Sequence, residues 1–146
     1  MYQAFLHIHS GLRWVVLILI ITAIFNAIGG KKRNSYEKKD KLINLFAMVS
    51  MHTQLLIGLV LYFISPRVNF ASGWMKDPSS RFYGMEHLLM MIIAIVLLTI
   101  GRKKAEKATD TIKKHKTIIT WYVIALILVF AAIPWPFRSA LGGQWF

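Results

Sequence analysis

Four long apolar stretches parted by short connections decide what this chain can fold into. They run from about Ala4 to Ile28, from Leu42 to Ile64, from about Ser79 to Ile100, and from Thr117 to Ile133. Roughly 20 apolar residues is the length that crosses a bilayer as a helix, the form that satisfies its own backbone there. The expected fold is all-α: an integral membrane antiparallel four-helix bundle, with residues 1–146 forming one domain. Composition agrees, with 56% hydrophobic residues and a mean hydropathy of +0.52. Gly29-Gly30 is expected to end the first helix, Pro66 the second, Gly101 the third and Pro134-Trp135-Pro136 the fourth. No basic residue precedes the first run and no small-x-small cleavage pattern follows it, so that helix is expected to be retained rather than removed as a signal peptide.

The net charge is +12 and the pI near 10.3. In a soluble protein that balance would point to nucleic acid. Here most of the basic residues lie in two connections. The first holds Lys31, Lys32, Arg33, Lys38, Lys39 and Lys41 against Glu37 and Asp40; the other is RKKAEKATDTIKKHK, residues 102–116. The positive-inside rule puts those loops in the cytoplasm and both termini and the middle loop outside. Anionic lipid headgroups are then the natural partner of the basic loops, and no nucleic acid is expected. Phe70, Trp74, Trp145 and Phe146 suit a membrane–water interface. Cysteine is absent, which excludes disulfides, iron–sulfur clusters, thiolate zinc sites and covalent c-type haem.

Polar residues inside the spans carry the functional signal, because charge at membrane depth is costly and tends to be retained for a purpose. Counting inward from the basic ends at a rise of about 1.5 Å per residue places Arg13 roughly 24 Å deep, His9 roughly 30 Å, His52 roughly 16 Å, Gln54 roughly 20 Å, Glu86 roughly 22 Å and His87 roughly 21 Å. These form one layer in the outer half, with His9 just above it; His115, near zero depth, stands apart. Arg13 and Glu86 match in depth and oppose in charge, which predicts a buried ion pair between the first and third helices. Alternatively, Arg13, one turn from His9, holds a cofactor carboxylate. His9 shares a face with Arg13 and points inward, whereas His7 looks toward the headgroups. By depth, His52 and His87 are the favoured axial pair for a flat apolar macrocycle, with Gly84 and Ala94 leaving room beside His87. Met48, Met51, Met85, Met90 and Met91 with the histidines also permit Cu(I) handling, although methionine is common core filler. A third possibility is a structural or assembly subunit whose polar layer only fixes helix register.

At HIHSGLRWVVL, HTQLLIGLVLYF, MEHLLMMIIAI and IPWPFR the chain resembles the short four-span bacterial membrane proteins labelled cytochrome B. That resemblance implies a non-covalent haem b in the bacterial inner membrane. It also implies an electron carrier or redox-complex subunit, rather than a stand-alone enzyme, between the quinone pool or a dehydrogenase and a partner. Trp14 and Tyr62 are candidates to border a quinone. A looser similarity links His9, Gln54 to Gly58, and His87-Leu88 to the half-bundles of haem A synthase, and implies His9 and His87 as the axial pair. The metal candidates are thus His87, His52 and His9, with Arg13 and Glu86 beside the cofactor.

Overall fold

The computed structural model describes residues 1–145; Phe146, read above as an interfacial aromatic, lies outside the described residues. Four helices long and apolar enough to cross a membrane dominate it: α1 Tyr2–Arg33, α2 Lys38–Ile64, α3 Pro78–Lys107 and α4 Thr111–Ala132. The shortest has 22 residues and rises about 33 Å, enough for the hydrocarbon core. No strand occurs among the described residues. The chain is a multi-pass, all-helical membrane bundle. Phe25, Leu56, Phe63 and Ile127 stand more than half exposed on its outside; they are at home against lipid and would be a liability in water.

All four helices extend past their apolar runs at the basic end. Hydropathy marks where lipid begins, whereas helix formation follows hydrogen bonding, and Lys and Glu are good helix formers. Lys31, Lys32 and Arg33 occupy the last turn of α1, and Lys104 and Lys107 that of α3, where cations favour the helix dipole. The two glycine stops expected from sequence therefore do not hold. A Cβ at Gly30 would run into the His115 ring, and one at Gly101 into Trp121. Both glycines are helix-interior sites of close approach to α4. The real stop of α1 is Asn34, left-handed at φ 52°.

A polar lock closes the basic end. Asp40, fully buried, accepts from the Glu37 N–H at 2.7 Å and from Asn26 Nδ2 at 2.7 Å. Tyr36 donates to Glu106 at 2.6 Å, and His115 Nε2–H donates to the Ser35 carbonyl at 2.8 Å. Burial, then the bond to Glu106, pushes the Tyr36 hydroxyl well above its ordinary pKa. Between this lock and the far end lies an apolar core of Ile20, Ala23, Ala94, Leu98, Ile118 and Ala125.

The helices form a ring. α1 packs on α2 and α4, α3 packs on α4, and α2 and α3 meet more sparingly. α1 and α3 thus stand on the diagonal and run the same way, so residues at equal depth on them face each other across the bundle centre.

Candidate functional site

The tandem Pro134-Trp135-Pro136 shapes the site from a distance. A helix carbonyl normally accepts from the N–H four residues on, and proline has none. Pro134 and Pro136 therefore orphan the carbonyls of Phe130 and Ala132. The Trp135 indole takes the first at 2.9 Å, and His87 takes the second, Nδ1 to Ala132 oxygen at 2.7 Å. A carbonyl only accepts, so Nδ1 carries the proton and Nε2 keeps its lone pair. This is how an outer-shell partner fixes the tautomer of a ligating imidazole.

The opposite wall is built by α2. Gln54 Nε2 donates to the His9 carbonyl at 2.8 Å, and one turn on, a Cβ at Gly58 would lie 3.1 Å from His9 Cε1. The Gln54-x-x-x-Gly58 spacing therefore grips α1 at His9 and leaves space for its ring. His9 Nδ1 is buried without a partner. Across the diagonal, the His9 and His87 ring centroids are 6.3 Å apart with planes at 73°. They flank a cavity of about 150 Å3 also lined by Arg13, Met51, Gly58, Tyr62, Arg67 and Met91.

His52 is not part of this arrangement. Its Nδ1–H donates to the Met48 carbonyl of its own helix at 2.8 Å, and it does not line the cavity. The pairing of His52 with His87 by depth is thus replaced by His9 with His87. Depth fixes position along a helix but not rotation about it, and the inward face of α2 is Met51, Gln54, Leu55, Gly58 and Leu61. Gly84 and Ala94 do not make the room beside His87 either. A Cβ at Gly84 would lie 3.3 Å from the Phe70 ring, and Ala94 is core.

The expected Arg13–Glu86 pair is not formed. Glu86 pairs with Arg81 at 2.6 Å, through a π-helical turn Phe82–Glu86 that brings residues five apart together. Arg13 instead donates to the carbonyls of Trp145 at 2.6 Å and Gln144 at 3.2 Å. The segment from Gly142 to Trp145, expected only to sit at the interface, thus folds back over the cavity mouth. Trp14 donates to the Trp145 carbonyl at 3.2 Å and does not line the cavity, whereas Tyr62 lines it and donates to the Gly84 carbonyl at 2.8 Å. His7 is exposed, and His115 is buried at the basic end.

A group of three or more His, Cys, Asp or Glu side chains able to hold a bare metal ion is absent among the described residues. The site offers two opposed imidazoles, one of them tautomer-locked, in an apolar cavity between diagonal helices. That donor set suits a metal whose remaining ligands arrive with it, as in a macrocycle. No protein-family model matches the chain, and neither does any curated protein or solved structure.

Proposed function

We propose that this chain is a non-covalent b-type haem protein, with His9 and His87 as the axial ligands. One spacing carries the reading. A metal–imidazole bond of about 2.0–2.1 Å plus about 1.1 Å from ring nitrogen to ring centre puts two imidazoles on one metal about 6.3 Å apart, centre to centre. His9 and His87 stand at 6.3 Å. The partnerless His9 Nδ1, the space that Gly58 provides and the free Nε2 of His87 support the same group. A bound haem supplies one-electron chemistry. The chain's own residues orient the two imidazoles through Gln54 and the Ala132 carbonyl, exclude water with Met51, Met91 and Ile95, and place cationic Arg13 nearby, which favours the reduced state. The role that follows is electron transfer between the quinone pool or a dehydrogenase and a partner. The basic loops face the cytoplasm of a bacterial inner membrane, which puts the cavity mouth on the outer side.

Met51 and Met91 line the same cavity, so Cu(I) is the competing occupant. An optical spectrum and metal analysis of the purified protein decide between them. A Soret band with a reducible α-band, lost in His9→Ala and His87→Ala and kept in His52→Ala, is the expected result. A normal bis-imidazole spectrum in His87→Ala, or copper without a Soret band, would overturn it.

A further inference from the structure

We propose that Tyr62 is a positioning residue for His87: its hydroxyl holds the π turn Phe82–Glu86 in place, and the place of that turn sets where the imidazole points. The purpose given to that imidazole rests on the haem reading. The turn is one residue wider than an α-helical one, with the His87 N–H donating to the Phe82 carbonyl five residues back. The helix ladder alone does not fix such a widening, since an N–H can reach the carbonyl four or five residues back. Were the widening to pass His87 toward the basic end, that residue would rotate by about 100° around α3 and shift by about 1.5 Å along it. The 2.7 Å bond from Nδ1 to the Ala132 carbonyl would then be lost, and Nε2 would turn out of the cavity.

Two contacts from outside α3 oppose that shift. The Tyr62 hydroxyl of α2 donates at 2.8 Å to the carbonyl of Gly84, the middle residue of the turn. The outer loop closes on the same glycine. Gly84 is buried, and a Cβ there would lie 3.3 Å from the Phe70 ring and 3.5 Å from that of Trp74. Tyr62 and Phe70 also meet edge to face, with ring centroids 6.4 Å apart. Gly84 thus sits in a slot between Tyr62 and the Phe70/Trp74 pair, without room for either neighbour, Tyr83 or Met85, that a shifted register would bring there.

A second tyrosine supplies the internal control. Tyr122 of α4 donates to the Asn44 carbonyl of α2 at 2.8 Å and is fully buried. It makes the same kind of bond between helices, but to a regular stretch remote from His87.

The test follows the His87 Nδ1 proton by NMR in protein labelled with 15N-histidine, held in phosphatidylcholine nanodiscs without haem, so that no ligand contact of Tyr62 enters. In Tyr62→Phe its exchange with water should quicken severalfold, up to about tenfold, as the loss of one net hydrogen bond warrants. The Nδ1 proton of His52, bonded to the Met48 carbonyl, should be unaffected. Tyr122→Phe should cost a comparable shift in a melt yet leave His87 unchanged. Gly84→Ala, which presses on Phe70, should loosen His87 as Tyr62→Phe does. Deleting Met85, 38% exposed within the turn, removes the extra residue, and His87 should then keep its bond and lose its dependence on Tyr62. With haem added, Tyr62→Phe should show a high-spin fraction that the parent lacks. Unchanged exchange in Tyr62→Phe, equal loosening of His87 by Tyr122→Phe, or dependence on Tyr62 that persists without Met85 would each overturn the role of Tyr62 while leaving the haem reading intact. If His87 responds as expected but the unaltered protein gives no Soret band with haem, the haem reading fails and the hold of Tyr62 on the turn stands.

Discussion

Gly58→Ala separates the fit of the site from the stability of the bundle. The added Cβ would lie 3.1 Å from His9 Cε1, where ordinary contact begins at 3.4 Å. The His9 ring must therefore retreat by about 0.3 Å, beyond the roughly 0.2 Å within which metal–ligand distances are held. Two effects on stability oppose each other. Overpacking costs about 1–3 kcal/mol, while exchanging glycine for alanine in a helix returns about 0.8–1.0 kcal/mol. The apoprotein should melt within about 1 kcal/mol of the parent at the lower end of that overpacking range. Haem affinity has no such compensation and should fall about tenfold, a change of about 1.4 kcal/mol, with part of the low-spin spectrum lost. Soret titration and a detergent melt of the apoprotein read the two quantities separately. Gly58→Leu, with a longer side chain aimed at the same ring, should abolish binding. Unchanged affinity and spectrum in Gly58→Ala would refute the role given to Gly58, and so would a loss of binding matched by an equal loss of apoprotein stability.

The other predictions are simpler. His115→Ala should leave the optical spectrum unchanged but destabilise the bundle by about 2–4 kcal/mol, because it empties a fully buried site and frees the Ser35 carbonyl; a shifted Soret band would contradict this. Arg13→Ala and Glu86→Ala should add independently in a stability assay, whereas Arg81→Ala and Glu86→Ala should couple by no more than about 1 kcal/mol, since that pair is about one-third exposed. Strong coupling of Arg13 to Glu86 would restore the pair the structure lacks. Reporter fusions at Gly30 and Trp74 should fall on opposite sides of the membrane, with Trp74 outside; cytoplasmic activity at Trp74 would reverse the orientation.

The four spans were legible because a bilayer leaves the backbone little choice, and Pro66 and Pro134 stop their helices close to where sequence places them. The glycines misled. Gly30 and Gly101 look like helix terminators, but in a membrane bundle glycine also serves close helix contact, and only the tertiary partner, His115 or Trp121, tells the two uses apart. Asp40 was read as loop charge, yet as the third residue of α2 its carboxylate completes a capping box with Glu37 and is buried. Depth gathered His9, Arg13, Gln54, Glu86 and His87 into one layer but also admitted His52, since rise carries no information on rotation. Two local signals were available: the one-turn Gln54-x-x-x-Gly58 spacing, and two prolines placed to orphan the carbonyls of Phe130 and Ala132.

The π turn before His87 connects the failed ion pair with the charge of the cavity. An α-helix places residues four apart on one face, and a wide turn moves that match to five. Over Phe82–Glu86 the consequence is that Glu86 meets Arg81 rather than α1, and the carboxylate leaves the bundle centre. The Gly84 carbonyl within that turn accepts from Tyr62 of α2, so the irregularity is also tied to the cavity wall. Regular helix resumes at His87, which is free to reach the Ala132 carbonyl on α4 and to turn its other nitrogen inward. One irregular turn thus takes the acid out of the cavity and aims the imidazole into it. A regular helix would have allowed Arg13 and Glu86 to neutralise each other at matching depth. As folded, the cavity keeps His9 and His87 facing each other, with Arg13 and Arg67 in its lining and Glu86 paired elsewhere.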